Sequence, residues 1–434
     1  MSFIDSILDK AKGKCEAAEV FHIKSENTSC AWSSDKLKLV GAKETSGAAL
    51  RVIKDGKVGF FATNKTDDTD FIVNTALELA PYGSEFAGEL PSEYKSAGGD
   101  YFDEKTASLG TEKMIADGNK MIAAVKEKRS DALFEAKISR STMESTIANS
   151  YGARASYRKT SFGGHLFGSV TREGDVLGIY EYDQSSHING QIDRWASELG
   201  RKLVDAEKIV SLKSGNYKTI LMPKVCEILG PIRSALNARA VLKDLSPFAD
   251  KVGEKIFDER ITLFDDGLNT ETPGGQPVDD EGVTAQKTTL IENGVLKVFI
   301  NDLHSASKLG VEPTGNGMRG GLSATPRAGY TTLTLAPGTK TLSELIAEID
   351  HGVIIDQVMG AHQASPFSGD FSVNVDCGFV IEDGKIVGRF KDGMLSGNVF
   401  KMFSDQLLDT GSEQRYMGFY MAPVVFDGLT VSTG

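Results

Sequence analysis

The spacing of apolar residues in the first half of the chain predicts alternating helices and strands. Ser2 and Asp5 have the spacing of a capping box, and the apolar residues after Ser2 fall on one face of a short helix. Residues 48–64 resemble two strands joined at Asp55-Gly56, a pair suited to a tight hairpin turn. Strand-like segments over 132–185, broken at "NSYG" and "REGD", are combined with helices at about 70–80, 111–128 and 192–203.

Strand and turn patterns dominate the second half of the chain. A strand at 217–222 begins it, and Asn293-Gly294 and Asp383-Gly384 are further hairpin turns. The few helices are predicted at 223–243, 302–309, 341–350 and 397–408. These patterns predict an α+β protein with two domains. An N-terminal domain (1–212) combines a sheet with helices and contains a linker-like surface stretch at 82–110, and a β-rich C-terminal domain (213–434) has a few helices.

Composition and charge narrow the class of protein. The chain has 434 residues, with 48 Lys and Arg against 60 Asp and Glu, for a net charge of −12. This balance disfavours direct binding to nucleic acid phosphates. We find neither a secretory signal nor an apolar run long enough to span a bilayer. Four scattered thiols fit a reducing compartment, so we expect a cytoplasmic protein with free cysteines at 15, 30, 226 and 377.

The glycine-rich stretch "EPTGNGMRGG" (312–321) is the most unusual segment of the sequence. It lacks the Lys-Ser/Thr pair of a phosphate-binding loop, and its GxGxxG spacing follows a predicted helix rather than a strand. Two interpretations stay open. The loop binds an extended peptide, with its glycines allowing close backbone approach and Asn316 and Arg319 acting as donors, or it is a turn that supports the fold.

Candidate catalytic and metal-binding residues are few. The histidines do not have the spacing of metal ligands on a helix; they lie at 22, 165, 187, 304, 351 and 362. Cys226 precedes Glu227 at the start of a predicted helix, but no histidine is a clear partner, and we expect a buried apolar role for this thiol. Cys377 is expected in a core strand. Asp279, Asp280 and Glu281 are interpreted as solvated turn residues rather than a calcium site.

Three ordered blocks of the second half resemble the TldD/PmbA family, once described as modulators of DNA gyrase. They are "DDEGVTAQKTTLIENGVLKVFINDLHSASKLGVEPTGNGMRG" (279–320), "MGAHQASPFSGDFSVNVDCGFVIEDGKIV" (359–387) and "LSGNVFKMF" (395–403). The resemblance implies a cytoplasmic proteolytic system in which a TldD-type zinc metallopeptidase pairs with a TldE (PmbA) partner and processes unfolded peptides. The TldD-type subunit carries HExxxH on a helix after the first strand of the C-terminal domain, and a late cysteine ligand.

This chain departs from the zinc-binding pattern of the family. The segment "TILMPKVCEILGPIRS" (219–234) occupies the place of the HExxxH helix, so the two histidine positions fall near Pro223 and Ile228. The C-terminal segment "QRYMGFYMAPVVFDG" contains no cysteine. The resemblance is therefore to the TldE/PmbA side of the family, and we expect no metal, no cofactor and no catalytic residue in this chain, with zinc held by a TldD-like partner.

The function that the resemblance implies is that of a non-catalytic subunit of a TldD/TldE-type metalloprotease involved in peptide maturation or degradation. Its partner would be a TldD-like subunit (heterodimer) or a second copy (homodimer), and Thr314, Gly315, Asn316 and Arg319 are the peptide-binding candidates. Two alternatives are a stand-alone peptide-binding or gyrase-associated modulator, and an independent peptidase with an unrecognised site.

Overall fold

The computed structural model describes residues 2–172, 175–361 and 365–434. Helices and strands are mixed along these residues, and strands prevail in the second half, so the predicted α+β fold class is confirmed. No helix in these ranges is both long and apolar enough to cross a membrane.

One antiparallel sheet of six strands organises the first half. Strands β1–β6 span Ala17–Ser33, Lys36–Lys54, Lys57–Thr63, Leu133–Asn149, Arg154–Arg172 and Asp175–Ser185. Their order across the sheet is β3-β2-β1-β4-β5-β6. At the predicted hairpin turn between β2 and β3, Asp55 and Gly56 have φ angles of 52° and 68°, as a tight two-residue hairpin turn requires. The predicted break at "REGD" includes residues 173 and 174, which lie outside the described residues.

In the part of the first half that the structure describes, five α-helices accompany this sheet. Helices α1–α5 span Phe3–Ala11, Thr69–Leu79, Glu104–Ala107, Thr111–Lys126 and Gln191–Asp205, and a 3-10 turn covers Ala80–Tyr82. The predicted capping box of α1 is present, because the backbone N–H of Asp5 donates to Ser2 Oγ at 3.2 Å. The stretch 82–110 was predicted to be a surface connection, but Leu90 and Tyr101 anchor it in the interior with 4% and 5% exposure.

The described residues of the second half form two larger sheets and a short hairpin. Strands β7–β21 span Gly215–Leu221, Leu263–Asp266, Lys287–Glu292, Val295–Leu296, Gly317–Met318, Arg327–Ala328, Leu333–Leu335, His351–Met359, Asp370–Glu382, Lys385–Phe390, Gly393–Asn398, Leu407–Thr410, Arg415–Tyr416, Tyr420–Met421 and Val424–Thr433. Strands β7, β21, β17, β15 and β14 pair in turn and close into a ring, because β14 also pairs with β7. The other large sheet has the order β10-β9-β8-β13-β20-β19, and β11 pairs with β12.

Short helices connect these strands. Helices α6–α10 span Gly230–Ala235, Ala238–Val241, Leu303–Leu309, Leu342–Ala347 and Val399–Asp405, after a 3-10 segment at Pro223–Leu229. The prediction of a single helix at 223–243 is therefore wrong. Pro231 lies in the first turn of a new helix that follows the 3-10 segment directly. Asn237 caps the next helix, because its side-chain oxygen accepts a hydrogen bond from the Arg239 N–H at 2.9 Å.

The two halves share an apolar core. Trp195 and Leu199 of α5 belong to the same buried cluster as Ile354 of β14 and Phe379 of β15. This shared cluster places the end of the first sheet beside the closed ring of strands, and it fixes the cleft described below. The domain boundary near residue 212 stays a prediction.

Candidate functional site

Four buried charged side chains meet where the first sheet faces the ring of strands. Glu181 lies in β6, Lys202 in α5, Lys224 in the 3-10 segment after β7, and Asp356 in β14. The Lys202 Nζ atom lies 2.6 Å from Glu181 Oε1 and 2.7 Å from Asp356 Oδ1. The Lys224 Nζ atom lies 3.0 Å from Glu181 Oε1 and 2.6 Å from Asp356 Oδ2. Each ammonium group contacts both carboxylates, so the charges of this ionic square balance.

Burial makes the pairing in the ionic square obligatory. None of the four side chains is more than 5% exposed. Burial alone would lower the pKa of Lys224, but Asp356 and Glu181 together raise it above its usual value. For Glu181, burial opposes ionisation, yet Lys202 and Lys224 bring its pKa below the usual value. Lys224 and Glu181 are therefore held in their charged forms at neutral pH.

The donor atoms around the 3-10 segment do not fit a zinc ion. Zinc sites use about three nitrogen, sulfur or oxygen ligands from the protein. Pro223 and Ile228, the positions implied for the two histidines, are buried and offer no ligand side chain. The carboxylates of the ionic square are already neutralised by two ammonium groups. In the part of the chain that the structure describes, no group of three or more His, Cys, Asp or Glu side chains is placed to hold a metal ion.

The thiols near this region are protected. Cys226 is buried, as predicted, and its Sγ donates to the Met417 carbonyl oxygen at 3.1 Å. Burial, with a contribution from Glu227, raises the pKa of Cys226 to about 11, which leaves it protonated and weakly nucleophilic at neutral pH. Cys377 lies in β15, in the core as expected, and burial raises its pKa as well. His362, one of the six histidines considered, lies outside the described residues.

The edge of β6 above the ionic square is covered by side chains over part of its length. The Tyr180 N–H donates to Gln357 Oε1 at 2.9 Å, and Gln357 Nε2 donates to the Gly178 carbonyl at 3.2 Å. Lys224 Nζ also donates to the Tyr180 carbonyl at 2.6 Å. Side chains from the second half of the chain therefore take the place of a neighbouring strand at this point.

Beyond Tyr180 the same edge faces an open cleft. Backbone groups of alternate residues in an antiparallel strand point to the same side, so those of Tyr182 and Gln184 point away from β5, as those of Tyr180 do. Among the described residues, β6 pairs with β5 alone. The opposite wall contains β19, which is the end strand of its own sheet. The cleft between these two edges has a volume of about 380 Å³.

The walls of the cleft are polar, and ion pairs hold their arginines in place. Arg194 pairs with Asp183, whose other oxygen accepts from Trp195 Nε1 at 3.1 Å. Arg415 of β19 forms a bidentate ion pair with Glu198. The side chains that line the cleft include Asp183, Gln184, Arg194, Glu271, Arg415 and Tyr420. Both arginines are thereby held in place by ion pairs within the protein.

The glycine-rich loop lies elsewhere, and its polar side chains bond within the protein. Thr314 Oγ1 accepts from the Asn301 N–H at 2.9 Å, and Asn316 Nδ2 donates to Asp265 Oδ2 at 2.6 Å. Gly315 has a φ of +70°, which favours glycine. Arg319 is buried and donates to Glu19 Oε1 at 2.7 Å. This geometry favours the turn interpretation of the loop; direct peptide contact by these four residues stays a prediction.

The acidic triplet was predicted to be solvated, and that prediction is wrong. Asp279, Asp280 and Glu281 are 1%, 8% and 1% exposed. Arg51 of β2 donates to Glu281 at 2.7 Å and to Glu19 of β1 at 2.8 Å. Burial raises the pKa of all three carboxyls of the triplet. The triplet is part of a second buried ionic cluster, which joins the first sheet to the glycine-rich loop.

Comparison with sequence families identifies the class of protein. The profile of the PmbA/TldA metallopeptidase C-terminal domain matches residues 214–433, and that of the PmbA/TldA metallopeptidase domain 1 matches residues 18–80. The chain therefore belongs to the PmbA/TldD family of metallopeptidases, as the resemblance predicted.

Individual relatives match nearly the whole chain. An uncharacterized protein of Methanocaldococcus jannaschii is 31% identical over 421 residues, which cover 95% of this chain and 96% of the relative. The structure of TldE from Thermococcus kodakarensis has a TM-score of 0.92 at 24% identity and covers 99% of this chain and 100% of its own, which shows a shared fold. A protein of Bacteroides thetaiotaomicron described as a candidate modulator of DNA gyrase has a TM-score of 0.83 at 26% identity, covering 100% of this chain and 98% of its own.

Proposed function

We propose that this chain is a non-catalytic subunit of a metallopeptidase of this family, which holds extended peptides while a metal-bearing TldD-like relative cleaves them. The observation that carries this proposal is the ionic square. Lys224 places a fixed positive charge between Glu181 and Asp356, beside the positions implied for the zinc ligands. Binding a metal cation there would bring it against two ammonium groups, which is electrostatically unfavourable.

The cleft between β6 and β19 supports the peptide-binding part of the proposal. An extended peptide adds to a sheet edge through its backbone, so such a site accepts many sequences. Gln184 offers outward backbone groups on one side, and Arg415 and Tyr416 form an end strand on the other. In this proposal the glycine-rich loop lies outside the cleft and supports the first sheet, because Arg319 bonds to Glu19 and holds the loop against that sheet.

Mixing the purified chain with a TldD-type relative tests the function. The probe is fluorescein-labelled casein, unfolded and unselective in sequence, with zinc added to every sample. We expect cleavage in the mixture that clearly exceeds the cleavage by the relative alone, and none by this chain alone. Zinc-dependent cleavage by this chain alone would overturn the proposal in favour of an independent peptidase. A mixture no more active than the relative alone would overturn it in favour of a stand-alone binding protein.

Replacement of Gln184 by Pro tests the cleft as the peptide site. Pro removes one outward N–H of β6 and no hydrogen bond of the β5–β6 ladder, and we expect peptide affinity to fall about tenfold. The matched control is Gln184→Ala, which loses the side chain and keeps the N–H. Fluorescence anisotropy with a labelled casein peptide measures the affinity, and thermal unfolding confirms that both variants are folded. Equal affinity of two folded variants would place peptide binding elsewhere.

A further inference from the structure

Four aromatic rings lie together on the face of the first sheet that points away from α5. His165 and Phe167 of β5 lie directly opposite Tyr182 and Tyr180 of β6, so the four rings share one face of the sheet. Leu166, between the two β5 residues, points to the opposite face and into the core that α5 covers. All four rings are half-buried. Together they are named the aromatic platform below.

The aromatic platform lines a cavity that adjoins the proposed peptide cleft. This cavity has a volume of about 680 Å³, and all four rings contribute to its lining. Gln184 lines both this cavity and the cleft between β6 and β19. In the part of the chain that the structure describes, none of the four rings belongs to an apolar core cluster. Their apolar surface is therefore available to a ligand that lies in the cleft.

A peptide that adds to β6 must place side chains on the face of the platform. Successive side chains of a strand alternate between the two faces of a sheet, and directly opposite residues of paired strands share a face. Gln184 is two positions from Tyr182, so a peptide residue opposite Gln184 directs its side chain to the platform's face. The diagonal distance from that residue to Tyr182 is about 7–8 Å, which aromatic and other long side chains can span.

We propose that the aromatic platform binds an aromatic side chain of an extended peptide, so that this chain selects peptides with Phe, Tyr or Trp opposite Gln184. The inference rests on the proposed function, in which the peptide lies along β6, and it names the class of peptide that the site prefers. The ring centroids of Tyr180 and Tyr182 are 5.8 Å apart, with an angle of 35° between the rings. Aromatic rings associate at such separations, and a peptide ring can therefore extend the pair.

The charges around the platform favour a neutral ring over a charged side chain. Burial lowers the pKa of His165, so its imidazole is neutral at pH 7. Burial, with contributions from Asp356 and Asp376, raises the pKa of Tyr180 to about 12. The Lys224 Nζ atom already lies 5.1 Å from the centroid of the Tyr180 ring, so a peptide cation would meet a like charge. A peptide carboxylate would be repelled by the two aspartates, whereas a neutral ring avoids both costs.

Peptides that differ at one residue test the preference of the full chain. The probes are unlabelled extended peptides of Ser and Thr whose central residue is Phe, Ser or Lys. Isothermal titration calorimetry measures their affinities without an aromatic label that could itself occupy the platform. We expect the Phe peptide to bind about tenfold more tightly than the Ser peptide, because only its ring packs against the platform. The Lys peptide should bind no more tightly than the Ser peptide.

Variants of the platform test where the ring binds. Tyr182→Thr removes one ring and introduces a residue that suits a strand, and the preference for Phe over Ser should fall to about twofold or less. His165→Thr removes the opposite ring and provides a second test should the first variant not fold. The matched control Tyr82→Thr changes a tyrosine that is 88% exposed and lies outside the platform, and it should keep the full preference. Thermal unfolding verifies that each variant is folded.

The contrary outcomes separate this inference from the proposed function. Equal affinity for the Phe and Ser peptides, in a chain whose binding falls with Gln184→Pro, would overturn the inference and leave the proposed function intact. A preference for Phe that persists in folded Tyr182→Thr and His165→Thr variants would locate the ring elsewhere and also overturn it, as would tightest binding of the Lys peptide. A chain that binds none of the peptides would overturn both.

Discussion

Replacement of Lys224 by Met is expected to lower the free energy of unfolding by about 3–5 kcal/mol. Lys224 contributes one of the two positive charges of the ionic square, and its removal leaves Glu181 and Asp356 sharing the single ammonium of Lys202. A buried carboxylate without a full partner is far more costly than an exposed one, since water cannot replace the lost contact. Denaturant unfolding at pH 7, followed by far-UV circular dichroism, measures the change.

Two further variants show whether charge imbalance causes the loss. Lys243→Met removes an exposed lysine and should change the free energy of unfolding by no more than about 0.5 kcal/mol. The double variant Lys224→Met, Asp356→Leu removes one charge of each sign and leaves Glu181 paired with Lys202. We expect it to recover at least half of the loss, because balanced removal of an ion pair is much less costly than removal of one partner. A single variant as stable as the Lys243→Met control would contradict the balancing role of Lys224.

The local elements of the fold could be predicted from the sequence because their causes are local. The capping box of Ser2 and Asp5 involves residues three positions apart, and the turn at Asp55-Gly56 needs only the backbone freedom of those two residues. The strand at 36–46 was not predicted. Its side chains are exposed on both faces, so they lack the alternation of apolar and polar residues that reveals a half-buried strand.

The ionic square could not be predicted, because its members are distant in sequence. Lys202 and Asp356 are 154 residues apart, and no local spacing relates them. The sequence does contain one indication: Lys224 is a charged residue between the apolar stretches "ILMP" (220–223) and "VC" (225–226). A buried lysine needs a partner of opposite charge, so its position implies carboxylates nearby without identifying them. The burial of the acidic triplet was not predicted for the same reason, since Arg51 and Glu281 are 230 residues apart.

The two ionic clusters have a common structural role. The ionic square joins β6 and α5 to the ring of strands, and the second cluster joins β1 and β2 to the acidic triplet. Both connect the first sheet to the second half of the chain by directional contacts, in addition to the apolar core around Trp195. Such contacts have strict distance requirements, so they fix the relative position of the two sheet edges that form the cleft. In the proposed function, peptide binding at the cleft should therefore be sensitive to both clusters.

Replacement of Arg51 by Met is expected to cost about 3–5 kcal/mol of unfolding free energy at pH 7, and less in acid. Arg51 donates to Glu19 and Glu281, and none of the three side chains is more than 2% exposed. Burial raises the pKa of Glu281 above its usual value, and Arg51 opposes that rise. In the variant the pKa of Glu281 should therefore rise further, because the burial effect remains and the opposing positive charge is gone.

The sign of the pH effect follows from linkage between proton binding and folding. A carboxyl with a higher pKa in the folded than in the unfolded state binds protons preferentially when folded, so acidification stabilises the folded state and a rise in pH through the folded-state pKa removes that contribution. The stability difference between wild type and Arg51→Met should thus shrink as the pH falls from 7 towards 5, measured by urea unfolding at several pH values. Arg158→Met, at an arginine with 52% side-chain exposure, should differ from wild type by no more than about 0.5 kcal/mol at each pH. A difference for Arg51→Met that is large but independent of pH would contradict the charge-balance explanation and indicate lost packing instead.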